Sequence, residues 1–378
     1  MPTVAVPTEV RPGERRVAVV PDLVSRLTDL GLEVRVEAGA GRGSDATDDA
    51  YREAGAQVVA GDVLAGADIV LAVNSLTLDQ LARLGRGTLV LSFLAPVQSL
   101  EKVAAARDGG VTWLSMELVP RISRAQSMDA LSSQALVSGY RCALIAAEMM
   151  PKFFPLLMTA GGTVKAAKVL VLGAGVAGLQ AIATARRLGA VVQAYDVRAA
   201  AAEEIRSMGA KFVDLGLDTL EGAGGYAREM TEDRAAKQRE LLTPFIRDAD
   251  ALITTAAVPG RQAPLLVTSA MVQTMGPGSV VVDLASETGG NVEGSVPGET
   301  VVVGDGVRVW GGLNVPSQMP VSASRLYAAN QANLLALLVD EGAVTVDLED
   351  EIVDGATVTH DGQVRFAPAR EALEGGAG

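Results

Sequence analysis

The chain has 378 residues, 49% of them hydrophobic and 20% charged, and a formal charge of −13. That balance predicts a soluble globular protein with length for two ordinary domains, and so much negative charge opposes a nucleic-acid or anionic-membrane surface. A single cysteine, Cys142, excludes a disulfide framework and a thiolate metal site, no apolar run approaches the length of a membrane span, and MPTVAVPTEV lacks the pattern of a signal peptide.

Residues 1–118 alternate strand and helix patterns, which predicts a doubly wound parallel sheet. Thr3–Val6 reads as a first strand, Pro21–Leu30 as an amphipathic helix stopped by Gly31, and Leu32–Val36 as a second strand. A short helix over Asp48–Ala54 follows, then strands at Asp68–Val73, Thr88–Leu94 and Val111–Met116, with helices at Leu78–Leu84 and Leu100–Ala106. GAGRGSD, at 39–45, reads as a loop. From Glu117 to Asp129 the pattern turns polar and leads into a long helix reaching Glu148, which reads as an interdomain bridge.

The densest signal is KVLVLGAGVAGLQAIATARRLGAVVQAYDVR, 168–198. A short apolar run, Val169–Leu172, precedes Gly173-Ala174-Gly175-Val176-Ala177-Gly178, and a helix pattern then leads to a second apolar run, Val191–Tyr195, ending on Asp196. In a strand–turn–helix unit the first glycine permits the tight turn, the second lets the backbone approach a pyrophosphate, and the third lets helix and strand pack closely. The helix N-terminus favours phosphate, and an acid about 20 residues on can accept from the ribose hydroxyls. The stretch therefore predicts a bound dinucleotide. Asp196 favours NAD(H) over NADP(H), because a 2′-phosphate there would meet a like charge.

Further strands are expected at Ala210–Val213, Ala251–Thr254, Val280–Leu284 and Arg308–Gly312. Between them, LGLDTLEGAGGYAREMT (215–231) has no apolar period and is either a surface loop or a glycine-hinged lid tipped by Tyr226. Ser322–Asp340 reads as a second long helix crossing back, followed by a hairpin and a Gly-rich tail. The expected fold is α/β: two doubly wound parallel-sheet, Rossmann-like domains joined by long helices, the first from 1–130 plus 320–378 and the NAD-binding one from 131–319. The only histidine, His360, lies in VTHDGQV and reads as an exposed turn residue. Most dehydrogenases move a proton with the hydride and need a group of near-neutral pKa. This chain must use lysine or a carboxylate, or run a reaction without proton transfer.

Three stretches together resemble the soluble, NAD(H)-binding component of the proton-translocating nicotinamide nucleotide transhydrogenases: PRISRAQSMDALSSQ (120–134), VLGAGVAGLQAIATARRLGA (171–190) with YDVR (195–198), and GGYAREM (224–230). RPGERRVAVVP near the start, ITTAAVPG (253–260) and GLNVPS (312–317) support the likeness. The resemblance implies a loop beside the nicotinamide formed by Arg121, Gln126 and Asp129 with Ser132 as neighbour, and a mobile loop around Tyr226. On their chemistry alone the first three also fit a solvated arginine, a surface glutamine and a helix-capping aspartate. The implied NAD(H) contacts are the Gly173–Gly178 turn, Asp196, Val197, Arg198, Thr255, Ala256, Leu313 and Asn314. NADP(H) would come from a partner subunit. A homodimer, a membrane proton-channel subunit, a place on the cytoplasmic face of the membrane and no metal are implied as well. Hydride passage between two nicotinamides moves H⁻ alone, which agrees with the missing histidine. The related alanine dehydrogenases place a lysine and a histidine in strands matching DIVLAVNSL and TLVLSFLAP, where this chain is expected to carry Ala72 and Phe93.

Overall fold

Both large sheets share one winding order. The computed structural model describes residues 1–218, 231–257, 260–340 and 342–375, and divides into two compact units: Met1–Gln134 with Ser317–Gly378, and Ala135–Pro316. In the first unit the sheet runs Gln363–Val364, Thr357–His360, Thr112–Ser115, Leu89–Ser92, Ile69–Leu71, Thr3–Val6, Glu33–Glu37, Gln57–Val59. The six strands from Thr112–Ser115 to Gln57–Val59 pair in parallel, and the C-terminal hairpin closes that edge antiparallel. Side chains alternate between two covered faces, as a strand period of two dictates. Val4, Val6, Ile69 and Leu71 join one apolar cluster, while Ala5, Val70 and Trp113 join the other.

The second unit's sheet runs Lys211–Phe212, Val191–Tyr195, Lys168–Leu172, Ala251–Thr254, Val280–Asp283, Val307–Gly311, Thr300–Val303, with only the last strand antiparallel. Val169 and Val171 pack on one face, and Leu170 and Leu172 on the other. In both sheets the chain reverses its winding beside the first strand, so each has a crevice at the carboxyl ends of two neighbouring strands, where open α/β sheets hold ligands. The α/β, doubly wound class expected from the sequence is the class found. The long helix extends over Ala130–Met149.

Several elements differ from expectation. The helix expected over Ser322–Asp340 is Pro320–Leu335, after which Val339–Asp340 pairs antiparallel with Ala343–Val344. Leu337 and Leu338 donate to the carbonyls of Leu334 and Leu335, a tighter winding that ends the helix, and Gly342 turns the chain at φ +78°. His360 is not an exposed turn residue: it ends the strand Thr357–His360, its side chain is 22% exposed, and Nδ1 lies 3.1 Å from Thr112 Oγ1. The turn itself is Asp361-Gly362, both at positive φ, as a two-residue hairpin requires. Beyond it, the tail forms the helix Ala367–Gly375. Helix Glu232–Asp248, strand Thr300–Val303 and the hairpin Leu157–Thr159 with Gly162–Val164 were not expected at all.

Candidate functional site

The glycine turn forms as its spacing requires. Gly173 sits at φ +96° after strand Lys168–Leu172, a conformation that L side chains rarely adopt. A β-carbon on Gly178 would stand 1.9 Å from the Gly173 carbonyl oxygen, so helix Val176–Arg187 and the strand end are already in contact there. The helix Ala130–Met149 packs equally tightly: a β-carbon on Gly139 would meet the Ala177 carbonyl oxygen at 2.0 Å. Gly175 is the opposite case. It is the extended N-cap, and a β-carbon on it would meet no protein atom within 4 Å. The N–H groups of Val176, Ala177 and Gly178 precede the first intrahelical bond at this end, donated by Leu179 to Gly175. Open space over a glycine at the positive end of a helix fits a pyrophosphate.

Asp196 follows strand Val191–Tyr195, with a side chain 8% exposed. Its Oδ2 accepts from Ala174 N at 2.7 Å, tying the second strand's end to the glycine turn. Arg198 supplies its backbone N–H and Nε to Oδ1, each at 2.9 Å, and Nη2 to Oδ2 at 2.9 Å. A carboxylate offers about four acceptor sites, so this one is saturated by the protein. Ribose hydroxyls can therefore reach Asp196 only by replacing the Arg198 guanidinium. Val197 packs against the apolar cluster on this side of the sheet. On the other side of the crevice, Thr255 Oγ1 donates to the Gly173 carbonyl at 3.0 Å, and Asn291 brackets Ala256. Leu313 is 46% exposed, while Asn314, at φ +41°, donates its N–H to Glu287 Oε2 at 2.7 Å. Sequence reading passed over Glu287 and Asn291, because one buried contact leaves no periodic mark.

The residues Arg121, Gln126, Asp129 and Ser132 belong to the first unit. Asp129 is a helix cap: its Oδ1 accepts from Ser132 N at 2.8 Å and its Oδ2 from Ser132 Oγ at 2.6 Å, at the start of Ala130–Met149. Arg121 Nε lies 3.9 Å from Asp129 Oδ2, the outer limit of an ion pair. Gln126 is exposed in the turn of helix Ser123–Met128, between the buried Ala125 and Met128. Tyr226 and the rest of 219–230 lie outside the described residues.

At the carboxyl edge of the first unit's sheet, Ala72 and Phe93 are core positions. Ala72 packs in the cluster around Trp113, and Phe93 stacks on Tyr327 with centroids 5.1 Å apart. The polar side chain just past that strand is Asn74, whose amide donates to Glu9 at 2.8 Å and Glu14 at 3.0 Å. Burial pushes the Glu9 carboxyl up. Burial would raise Glu14 too, but the Arg16 fork outweighs it and holds that carboxyl well below the usual range. His360 is bonded to Thr112, the first residue of its strand, and so sits at the opposite, amino edge of the sheet.

The family description "Alanine dehydrogenase/PNT, N-terminal domain" matches residues 5–138, and "Alanine dehydrogenase/PNT, C-terminal domain" matches residues 142–367. An NAD(P) transhydrogenase subunit alpha chain of Rhodospirillum rubrum is 48% identical over 373 residues, covering 96% of this chain and 97% of that protein. The crystal structure of transhydrogenase from Sinorhizobium meliloti superposes with a TM-score of 0.87 at 45% identity, covering 96% and 99% of the two chains. Alanine dehydrogenase of Mycobacterium tuberculosis is 34% identical over 305 residues, 78% of this chain and 75% of that one. With both halves matched, the chain belongs to the alanine dehydrogenase/PNT family, and it is more similar to the transhydrogenase alpha subunits than to alanine dehydrogenase.

Proposed function

We propose that this chain is the NAD(H)-binding component of a proton-translocating transhydrogenase, in which hydride passes directly between NAD(H) on this chain and NADP(H) on a partner subunit. The observation that carries the reading is the Gly173–Asp196 site: a tight turn, an open approach over Gly175, a helix N-terminus, and a carboxylate bound to the turn's own backbone. The nicotinamide supplies the hydride chemistry. The protein holds the pyrophosphate at the helix start, offers Asp196 to the ribose, and fixes the ring's surroundings with water excluded. The alpha-subunit names of the relatives support separate subunits for NADP(H) and for the membrane channel. Among the described residues no helix is long and apolar enough to cross a membrane, so a place on the cytoplasmic face would come through those partners. A homodimer is supported by the apolar side chains at and before the Leu157–Val164 hairpin: Met158 is 76% exposed, Phe153 59% and Leu156 56%.

Asp196→Ala tests the reading directly. NADH binding should weaken by ~1–3 kcal/mol, the worth of hydrogen bonds to an ionised acceptor. Calorimetric titration with NADH and NADPH checks both affinity and selectivity, and tighter binding of NADPH to the unaltered protein would refute the assignment. A second expectation separates this chain from the alanine dehydrogenases. The strand ends of the first unit carry Asn74 where that chemistry needs a charged group, and the only histidine lies at the far edge. L-Alanine with NAD⁺ should therefore yield no NADH above background. Steady formation of reduced nicotinamide, followed by its absorbance, would return the chain to the dehydrogenase branch.

A further inference from the structure

The carboxyl end of strand Val280–Asp283 holds a carboxylate with no exposure to solvent. Asp283 accepts from Thr254 Oγ1 at 2.9 Å, Ala285 N at 3.1 Å, Asn291 N at 3.1 Å and Val292 N at 3.2 Å. None of these donors is a cation, so main chain and one hydroxyl stabilise the buried charge. Gly290 makes the arrangement possible: it turns at φ +79°, and a β-carbon there would stand 2.9 Å from Asp283 Oδ2.

What Asp283 holds is Asn291, which is also fully buried. The Asn291 side chain is spent on the neighbouring loop. Oδ1 accepts from Ala256 N at 3.0 Å, while Nδ2 donates to the Ala256 carbonyl at 2.8 Å and the Pro264 carbonyl at 2.9 Å. One amide thus satisfies both polar groups of Ala256, as a neighbouring strand would, and so fixes that peptide's plane. Ala256 N would stand 3.0 Å from a β-carbon on Gly173, and the adjacent Thr255 hydroxyl bonds the Gly173 carbonyl. The glycine turn is therefore braced from one side by Asp196 through Ala174, and from the other by Asn291 through Ala256.

We propose that Asn291, anchored by Asp283, is a positioning residue for one half of the dinucleotide. It sets the Thr255–Ala256 turn that seats the pyrophosphate-to-nicotinamide half, and leaves the adenosine half to Asp196. The proposal rests on the dinucleotide reading. The division follows from the winding order, since strands Val191–Tyr195 and Ala251–Thr254 flank the central Lys168–Leu172 on opposite sides.

Titration of the full chain with AMP and with NADH, for the unaltered protein, Asn291→Ala and Asn291→Ser, tests it, with thermal unfolding followed in parallel. In Asn291→Ala, NADH affinity should fall roughly 10- to 100-fold, as expected when buried main-chain groups lose their partners. AMP affinity should stay within about twofold, and Asn291→Ser, keeping one hydroxyl, should recover some of the NADH loss. Should the alanine variant not fold, the serine variant carries the same NADH-against-AMP comparison. Equal losses for AMP and NADH, or no loss of either, overturn the positioning role. Failure of the unaltered protein to bind NADH overturns the dinucleotide reading, and this proposal with it.

Discussion

Gly178→Ala should lower both stability and NADH affinity, whereas Gly175→Ala should lower affinity alone. At Gly178 the added carbon would stand 1.9 Å from the Gly173 carbonyl oxygen and 3.0 Å from Thr255 Oγ1. Neither the strand end nor the helix start can yield freely, because Gly173 is bonded by Tyr195 O and by Thr255, and the helix is pressed by Gly139 at Ala177. Forcing an atom into such a contact costs ~1–3 kcal/mol or more. Each kcal/mol lowers the melting temperature by ~2–4 °C in a unit of this size. The shift that relieves the clash would also move the helix N-terminus away from the strand, dispersing the N–H groups that would meet the phosphates. At Gly175 the backbone is extended and the space above it is open, so alanine fits the protein without strain. It does not fit a pyrophosphate in van der Waals contact with that backbone. Thermal unfolding and NADH titration of both variants separate the roles. Full affinity in Gly175→Ala would place the phosphates elsewhere.

The difference between these two glycines also shows what the sequence makes legible. Each glycine of the turn answers a local requirement, so its spacing can be read without the rest of the chain. The same holds for the parallel strands: Val169–Leu172 and Val280–Val282 are apolar runs because both faces are covered, and the alternation with helices fixes the winding. Helix Glu232–Asp248 escaped notice for a physical reason. Its first turn is acidic, Pro244 interrupts it, and only Gln238, Leu242 and Ile246 are buried, a stripe too narrow to give a helical period. Asp283 and Asn291 are invisible for another reason. Their value lies in bonds to main chain up to 35 residues away, and no local pattern announces such a contact. Asp129 was legible twice over, as a member of a specific motif and as a plain cap before Ser132. The second meaning alters what should be expected of its neighbours.

Gln126→Asn should leave NADH affinity within about twofold and slow hydride transfer to an NADP(H)-bearing partner on the order of 100-fold, the cost of a displacement near 1 Å when geometry is the whole of catalysis. The segment around Gln126 is firmly seated. Ala125 and Met128 are buried beneath it, and the Ser127 carbonyl accepts from Asn330 Nδ2 at 2.8 Å and Asn333 Nδ2 at 2.9 Å, both on helix Pro320–Leu335. Gln126 itself points to solvent from this anchored turn, the arrangement expected of a side chain that meets a partner's ring. Asparagine keeps the amide and withdraws it by one methylene, so reach is what changes. Arg121→Ala behaves differently from a simple ion-pair deletion. Asp129 keeps both bonds from Ser132 whether or not Arg121 is present, and the cap should hold. Removing the cap itself, in Asp129→Ala, should cost ~1 kcal/mol of stability. Single-turnover transfer at saturating NADH, with affinity measured separately, distinguishes the cases. A Gln126→Asn variant that transfers hydride at the normal rate would leave Gln126 a surface residue. One that loses NADH affinity in proportion to rate would make the segment a binding loop for this chain's own nucleotide.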